Sequence, residues 1–271
     1  MFVDSHCHLT FPELRSQLPD ILKAMSEAQV DRALCIGTTL EEFEQVHELA
    51  LAHANLWATV GVHPDNEGVR EPTLDDLLRR AALPRVVGIG ETGLDYYRLG
   101  ERTVADMAWQ RERFRVHIRA GRQTDLPLVI HTRSASEDTL SILREEGGFL
   151  PEADPNPGLP KARGVFHCFT ETAEVARAAL AMDFYISFSG ILTFRNAADL
   201  REVAREVPLE RCLIETDSPY LAPVPYRGKT NVPAYVPHVA AQLADIKGLS
   251  IDAVAQATSQ NFDRLFRSVG T

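Results

Sequence analysis

The sequence has fewer basic than acidic residues, which narrows the class of substrate that it can bind. Its 271 residues carry 28 Lys and Arg against 38 Asp and Glu, a formal net charge of −10 at pH 7. Proteins that wrap duplex nucleic acid usually present a basic stripe that neutralises many phosphates, so this balance argues against a long duplex footprint. Local binding of a phosphodiester is still possible, because divalent ions on the floor of a cleft supply positive charge of their own.

The sequence also lacks a long apolar run and a cysteine framework. No stretch approaches the roughly 18 apolar residues of a membrane-spanning helix. The amino-terminal MFVDSHCHLTF has no basic region followed by a long apolar segment, so we expect no secretory signal. The four cysteines form no CxxC pair and lie in or beside apolar runs, as is typical of buried, reduced thiols: Cys7, Cys35, Cys168 and Cys212. We therefore expect a cytoplasmic protein that binds no membrane.

Apolar strand-like runs alternate with longer amphipathic segments along the whole chain. The predicted strands are 2–6, 31–37, 57–62, 86–91, 126–131, 164–168, 184–188 and 211–215. The predicted helices are 19–29, 41–53, 73–82, 105–124, 136–146, 172–182, 197–206, 235–247 and 251–267, with an extra turn that begins at Thr10 or Pro12. Eight strand–helix units of about 34 residues predict a single α/β domain over 1–271, a (β/α)8 TIM-like barrel. An open doubly wound sheet is the alternative, but no GxGxxG follows the first strand.

Six side chains with metal-binding donors stand at the ends of these apolar runs. They are His6, His8, Glu91, His131, His167 and Asp217. Active sites of (β/α)8 barrels lie at the carboxyl ends of the strands, so we expect all six to converge on one rim. Four imidazoles and two carboxylates suit divalent ions such as Zn, Mn, Fe or Mg. The pattern predicts a hydrolase with two divalent ions.

The spacing of these donors predicts a role for each of them. His6 and His8 are two residues apart, so both point to the same side of a strand and can chelate one ion. Glu91 ends an apolar run, where a carboxylate is costly unless cations neutralise it, and its two oxygens can bridge two ions. The two remaining histidines, on neighbouring strands, are expected to bind the second ion. Asp217 can bind the first ion and accept a proton from water, whose pKa a metal lowers from ~16 toward ~7. Asp217 and Glu91 are therefore the predicted catalytic residues.

Two further residues are predicted to bind substrate. His63 ends the third strand, in GVHP, and is interpreted as a contact to a substrate phosphate or as a buried structural histidine. Arg227 follows the eighth strand, where barrels often bind phosphate, although a surface salt bridge is the alternative. Of Tyr96 and Tyr97, we expect one in the core, and an exposed tyrosine there could stack a base.

Five arginines in one predicted helix resemble a DNA-binding patch: Arg111, Arg113, Arg115, Arg119 and Arg122. At 100° per residue they spread around much of the helix, which favours a solvated outer helix instead. The segment 151–162 is rich in proline and glycine, which predicts a surface loop on the rim opposite the predicted site.

Seven ordered motifs resemble the TatD family of metal-dependent deoxyribonucleases, which belongs to the amidohydrolase superfamily. The motifs are VDSHCHL, GVHP, GETGLDYY, IHTR, FHCFT, ETDSPYLAP and PVPYRGK, and the similarity runs from residue 4 to the final NFDRLF. The resemblance implies that one ion is held by His6, His8, Glu91 and Asp217, and the second by Glu91, His131 and His167. It also implies hydrolysis of phosphodiester bonds in DNA by 3′-to-5′ trimming.

Two other functions are compatible with the same residues. A hydrolase of this superfamily could act on a carboxylic ester, lactone or amide, since an activated water does not dictate phosphorus over carbon. Many relatives bridge their ions through a lysine on strand 4, and Glu91 in that place favours the nuclease. A non-catalytic barrel scaffold should have lost ligands, whereas this chain keeps all six. We expect Zn, Mg or Mn as the metal and DNA or a small phosphodiester as the partner; the sequence indicates no protein partner.

Overall fold

Eight parallel strands form a barrel in the computed structural model, which describes residues 1–267. They are β1 (Phe2–Cys7), β2 (Val30–Cys35), β3 (Leu56–Val60), β4 (Val86–Asp95), β5 (Leu128–Arg133), β6 (Gly164–Phe166), β7 (Tyr185–Phe188) and β8 (Cys212–Ile214). Each strand pairs in parallel with the next along the chain, in the order β1 to β8. This order and the helices between the strands are those of a (β/α)8 barrel, so the predicted fold is confirmed.

Ten α-helices follow the strands within residues 1–267. They are α1 (Pro12–Arg15), α2 (Leu18–Glu27), α3 (Phe43–Ala52), α4 (Leu74–Ala81), α5 (Ala108–Thr124), α6 (Ser136–Glu146), α7 (Ala173–Ala181), α8 (Ala198–Glu206), α9 (Val236–Lys247) and α10 (Ile251–Phe266). Every predicted helix is present, and α1 is the expected extra turn. None of the helices described is both long and apolar enough to cross a bilayer. The predicted domain ends at residue 271, and its last four positions lie outside the described residues.

The barrel is nearly closed where β8 returns to β1. The backbone N and the Oγ1 of Thr216 donate to the two carboxylate oxygens of Asp4, at 2.9 and 2.5 Å. The backbone N of Asp217 donates to the carbonyl of His6 at 2.9 Å. Burial raises the pKa of Asp4 to about 8, although the hydrogen bonds from Thr216 act to lower it. The seam of the barrel is therefore formed by the same two segments that carry predicted metal ligands.

Strand β4 is longer than predicted, which changes the position of Glu91. The strand continues to Asp95, so Glu91 lies inside it and not at its end. The extension pairs with β5, with Gly93 opposite His131. Gly93 has a φ of +130°, and a Cβ there would lie 1.9 Å from the carbonyl oxygen of His131, so this approach requires glycine. The added pairing brings Asp95 beside His131.

An apolar plug closes the amino end of the barrel. One inward-facing residue from each strand contributes to it: Val3, Leu34, Trp57, Val87, Val129, Val165, Tyr185 and Leu213. Phe262, Leu265 and Phe266 of α10 complete the same cluster. A larger apolar layer separates the strands from the surrounding helices. Because α10 covers the amino end, the polar side chains of the barrel are left to the carboxyl end.

The prediction of a solvated outer helix for the arginine-rich α5 is partly wrong. Arg113 and Arg122 are only 3% and 1% exposed. Arg122 binds the carboxylate of Asp154 at 2.7 and 2.8 Å and so fixes the 151–162 loop to α5. Arg113 pairs with Glu71 and donates to the carbonyl of His63 at 2.7 Å. The five N–H donors of a guanidinium allow such burial when enough acceptors surround it. The other three arginines also pair with carboxylates, which speaks against a DNA patch on α5.

Candidate metal centre

The six predicted donors meet at the carboxyl end of the barrel. They come from β1 and its end (His6, His8), β4 (Glu91), β5 (His131), the residue after β6 (His167) and the segment after β8 (Asp217). Glu91 lies at the centre and is 3% exposed. Donors far apart in the chain therefore form one cluster, as barrel topology predicts.

The two oxygens of Glu91 face two separate groups of imidazoles. Its Oε2 lies 3.3 Å from Nε2 of His6 and 3.8 Å from Nε2 of His8. Its Oε1 lies 2.8 Å from Nε2 of His167 and 3.3 Å from Nδ1 of His131. A carboxylate with one oxygen toward each group of nitrogens has the arrangement that a bridging ligand requires.

Asp217 completes the group on the β1 side. Its Oδ1 lies 3.5 Å from Nε2 of His6 and 3.4 Å from Nε2 of His8, and the two Nε2 atoms are 3.2 Å apart. Asp217 has a φ of 56°, a left-handed conformation that aspartate tolerates better than most residues. Two imidazole nitrogens that face each other beside a carboxylate share one cation more readily than they share protons. These donor atoms suit a divalent ion.

Charge in the cluster is arranged to keep its carboxylates ionised. Burial by itself would raise the pKa of Glu91, but the imidazoles of His167, His63 and His6 outweigh it and hold that pKa well below its usual value. Burial lowers the pKa of His6, and the neighbouring ring of His167 lowers it further. The His6 and His167 rings are stacked at 3.8 Å. Burial acts to lower the pKa of His167, but Glu91 and Glu215 raise it well above its usual value. Metal binds neutral imidazole and ionised carboxylate, so binding of an ion would release a proton from His167.

Two carboxylates that the sequence analysis missed orient these histidines from behind. Asp95 Oδ2 lies 3.0 Å from Nε2 of His131, and Glu215 Oε1 lies 3.3 Å from Nδ1 of His167. Such partners fix the tautomer and the ring orientation of a metal-binding histidine. The available signal was that both carboxylates lie within four residues of a predicted ligand, in GETGLD and ETD. The Oε2 of Glu215 is buried without a hydrogen-bond partner among the described residues.

His63 lies in the same cluster and is not a buried structural histidine. Its Nε2 is 3.2 Å from Oε1 of Glu91, its Nδ1 accepts from the backbone N of Asp65 at 3.0 Å, and its side chain is 20% exposed. His117 of α5 holds the preceding turn, because its Nε2 accepts from the backbone N of Val62 at 3.0 Å. Burial lowers the pKa of His117 to about 4, which keeps that acceptor neutral. His63 is thus held where it can meet an ion or a phosphate.

The remaining predicted contacts lie around the rim. Arg227 is exposed and stacks on Phe194 at 3.6 Å; within residues 1–267 no carboxylate lies at ion-pair distance from it, so the alternative of a surface salt bridge is wrong. Tyr96 is buried and donates to Asp138 at 2.7 Å, whereas Tyr97 is 58% exposed, so one of the two is core as expected.

The cysteines beside the ligands differ in orientation. All four cysteines are free. Cys7 is buried and its Sγ lies 3.4 Å from the carbonyl of Leu34, pointing away from the cluster as strand alternation predicts. Cys168 lines the cleft and is only partly buried, so the expectation of a buried thiol is wrong for it: β6 ends at Phe166, and a φ of 42° at Cys168 breaks the alternation of the strand.

A cleft of about 680 Å³ opens above the cluster. Its floor carries Glu91, His131, His167 and Asp217, and its walls include the end of β5 and residues from the loops after β1, β3, β4 and β8. The described donors fit divalent ions: three groups of His, Asp and Glu have ligand atoms within 4.8 Å of one another. The site can therefore hold metal at the base of a pocket that admits a substrate.

Comparison with known proteins identifies relatives over the full length of this barrel. Residues 3–267 match the family model described as "TatD related DNase". The metal-dependent hydrolase YcfH of Escherichia coli K12, named uncharacterized, is 46% identical over 97% of this chain and 95% of its own. A protein of Escherichia fergusonii named 3′-5′ ssDNA/RNA exonuclease TatD is 33% identical over 97% of this chain and 98% of its own. The crystal structure of YjjV, a TatD homologue from Escherichia coli, superposes with a TM-score of 0.86 at 26% identity and covers 98% of both chains.

Proposed function

The chain belongs to the family of TatD-related DNases, a family of metal-dependent hydrolases, and on that premise we propose that it hydrolyses phosphodiester bonds in DNA from the 3′ end of a strand. The observation that carries the proposal is the position of Glu91, whose two oxygens face separate groups of histidines. A site with two divalent ions is the arrangement that steadies both the attacking and the leaving oxygen of a phosphoryl centre.

The two groups of donors support a separate set of ligands for each of two ions. His6, His8, Asp217 and the Oε2 side of Glu91 would hold one ion. The Oε1 side of Glu91 with His131 and His167 would hold the other, and Zn, Mg and Mn all suit such mixed ligands. When bound, the ions would polarise the phosphodiester and lower the pKa of a coordinated water.

The protein's own groups then bind the substrate and move the proton. Asp217 is the proton acceptor, because its carboxylate stays ionised: burial acts to raise its pKa, but the imidazoles of His8, His6 and His167 lower it below its usual value. His63, beside Oε1 of Glu91, contacts a phosphate oxygen of the substrate. Arg227, exposed on the loop after β8, contacts a phosphate further along the strand.

The shape of the cleft supports a strand end as substrate. Its volume of about 680 Å³ lies in the range of small-ligand clefts and accommodates a nucleotide or two. The overall charge of −10 is unfavourable for coating a duplex and does not oppose local binding of one phosphate at a metal-loaded floor. One relative bears the name of a 3′-to-5′ single-strand nuclease, which is consistent with the same direction.

A substrate panel tests the proposal. The protein, loaded in turn with Zn, Mn or Mg, is given a 5′-labelled oligonucleotide and the same oligonucleotide with a blocked 3′ end. We expect stepwise shortening of the first, none of the second, and complete loss of activity after metal removal by a chelator. Internal cleavage of the blocked strand would contradict end trimming, and activity that survives metal removal would contradict the mechanism.

The alternative substrate class is separated by small chromogenic compounds. Bis-p-nitrophenyl phosphate and p-nitrophenyl acetate present phosphorus and carbon to the same site. We expect kcat/KM for the phosphodiester to exceed that for the ester by at least about a hundredfold, the usual size of a well-built electrostatic preference. The reverse order would favour the ester, lactone or amide hydrolase, and natively purified protein without metal would favour the non-catalytic scaffold.

A further inference from the structure

Two arginines at the mouth of the cleft have no carboxylate at ion-pair distance in the described part of the chain. Arg98 and Arg133 both line the cleft, and within residues 1–267 neither has a carboxylate at ion-pair distance or donates a side-chain hydrogen bond. The five arginines of α5, in contrast, all bind carboxylates. Asp95 acts on Arg133 only from beyond ion-pair distance. In a chain with a net charge of −10, two cations at the entrance of one pocket without an ion-pair partner among the described residues indicate a site for an external anion.

Arg133 is also held in a defined orientation. Its guanidinium carbon lies 3.6 Å from the centroid of the Tyr97 ring. Stacking on a ring fixes the plane of the guanidinium while its N–H edge stays available, and a guanidinium edge binds phosphate through two parallel hydrogen bonds. The ring of Tyr97 belongs to a residue that is 58% exposed, which leaves room for a base on the face that Arg133 does not cover.

The ends of β4 and β5 hold Arg133 and Tyr97 in place. Arg133 is the last residue of β5 and is the register partner of Asp95, the last residue of β4. The backbone N of Tyr96 donates to the carbonyl of Arg133 at 2.9 Å. The backbone N of Tyr97 donates to Oδ1 of Asp95 at 2.8 Å. The two side chains are therefore presented by hydrogen-bonded strand ends.

The pair lies one step outward from the metal cluster. Arg133 follows His131 by two residues, so both side chains leave the same side of β5, about 7 Å apart along the strand at ~3.3 Å per residue. Asp95, which anchors Tyr97, also accepts from the ring of His131 at 3.0 Å. A DNA strand whose scissile phosphate lies at the metal-binding cluster would place its neighbouring nucleotide beside Arg133 and Tyr97.

We propose that Tyr97, Arg98 and Arg133 form the subsite for the nucleotide next to the scissile bond, with its phosphate on the two arginines and its unpaired base on Tyr97. The inference rests on the proposed function and adds to it the residues that would hold the neighbouring nucleotide. A base in a duplex is stacked and paired and cannot lie on Tyr97, so this subsite selects a single-stranded end. The occupant is a polynucleotide strand, because the subsite requires a phosphate and a planar base held together.

Three variants and one matched control test the subsite. Arg133→Gln removes the cation, Tyr97→Ala removes the ring, and Tyr97→Phe keeps the ring. Arg144→Gln removes the same charge from an exposed arginine in the last turn of α6, at the opposite end of the barrel. The probes are a fluorescent single-stranded oligothymidylate, bound and cleaved, and bis-p-nitrophenyl phosphate, which has no neighbouring nucleotide.

We expect Arg133→Gln and Tyr97→Ala each to weaken oligonucleotide binding, measured by fluorescence anisotropy, by at least about tenfold. The first variant loses a charge-assisted hydrogen bond to phosphate, and the second loses the stacking of a base. The loss in kcat/KM on the oligonucleotide should exceed the loss on the small diester by the same factor. The salt dependence of binding should become shallower by about one unit of log–log slope for Arg133→Gln only. Tyr97→Phe and Arg144→Gln should behave as the wild type.

The outcomes separate this subsite from the proposed function. If the wild type cleaves the oligonucleotide but Arg133→Gln matches it, or if the variant loses equally on both substrates, the subsite is wrong and the function stands. Equal loss in Arg144→Gln would make the effect one of net charge and would also overturn the subsite. If the wild type neither binds nor cleaves the oligonucleotide yet hydrolyses the small diester, the function proposed for DNA fails and the subsite fails with it.

Discussion

The closed amino end of the barrel and the mouth of the cleft at its carboxyl end differ in how the arginines named below are paired. At the amino end, cations are matched with carboxylates in three pairs: Arg32 with Asp263, Arg122 with Asp154, and Arg163 with Asp125. At the carboxyl end, Arg98, Arg133 and Arg227 have no carboxylate at ion-pair distance among residues 1–267. The amino end also carries the apolar plug of α10, whereas the carboxyl end carries five imidazoles around Glu91.

This difference separates the part of the molecule that stabilises the fold from the part that binds ligands. Buried polar groups are stable when every donor and acceptor is paired, as around Arg122. Groups expected to bind a metal or a phosphate have fewer partners within the protein, and the rest of the barrel offsets the resulting cost to stability. The local field at the cleft is therefore set by a few side chains and runs against the net charge of the chain. Substitutions at the two ends should affect different quantities.

The largest effect is expected from Glu91→Gln at the carboxyl end. An amide keeps the shape but places an NH₂ against one group of imidazoles, so it cannot bridge two ions. We expect hydrolysis of bis-p-nitrophenyl phosphate to fall at least about a thousandfold. The unfolding midpoint in excess chelator should move by no more than about 5 °C, since one or two kcal/mol correspond to such a shift in a chain of this size.

Glu101→Gln is the matched control for that substitution. Glu101 is exposed on the segment after β4, so its loss removes the same charge without touching the cluster. It should leave rate and metal content unchanged. The bridging role would be contradicted if Glu91→Gln kept more than about 1% of the activity and its full metal content by elemental analysis. The functional difference between the two ends would then be smaller than proposed.

The next effect is expected from Arg122→Met at the amino end, with the opposite signature. The substitution leaves Asp154 and several carbonyls without their buried donor, which should lower the free energy of unfolding by about 3 kcal/mol. The rate per folded molecule should stay that of the wild type. Urea unfolding followed by circular dichroism measures the first, and activity normalised to the folded fraction measures the second.

Arg119→Met on the same helix calibrates that result. Arg119 pairs with Glu146 and Glu112 but is 32% exposed, so solvent screens the pairs and the cost should be at most about 1 kcal/mol. If Arg122→Met costs no more than Arg119→Met, the buried pairs of the amino end are not what stabilises it. A fall in the specific rate of folded Arg122→Met would instead show that the two ends are coupled.

The sequence was informative wherever a pattern reflects local chemistry. Apolar runs ending in His or Asp predicted strands, their common rim and the six donors, because strand ends and barrel topology are set by periodicity. The fold and the candidate ligands could therefore be predicted from the sequence alone. Glu91 lies between two sets of histidines, as a bridging ligand would, and the roles of the individual ligands stay predictions.

What the sequence did not predict depends on contacts between distant segments. The burial of Arg113 and Arg122 was missed because helical periodicity treats arginine as a surface residue, and the acceptors that allow burial lie in other segments. The partial exposure of Cys168 was missed because its own left-handed conformation ends the alternation of the strand. Glu215 was missed because it contacts the ring of His167 from a distant segment, and its position two residues before Asp217 does not reveal that contact.

Glu215 provides the smallest expected effect and the finest test of the contrast between the ends. It lies at the carboxyl end but is fully buried, with one oxygen committed to His167 and the backbone N of Cys168, the latter at 2.7 Å. If it orients His167, Glu215→Gln should weaken metal binding about 10- to 100-fold, measured by competition with a chelating dye. At saturating metal, kcat should stay within a few-fold of the wild type. Glu210→Gln, an exposed site before β8, should change neither value. A lowered kcat with unchanged metal affinity would instead show that Glu215 takes part in the reaction and does not only orient His167. Its Oε2, which has no hydrogen-bond partner among the described residues, would then be the atom that contacts substrate or water.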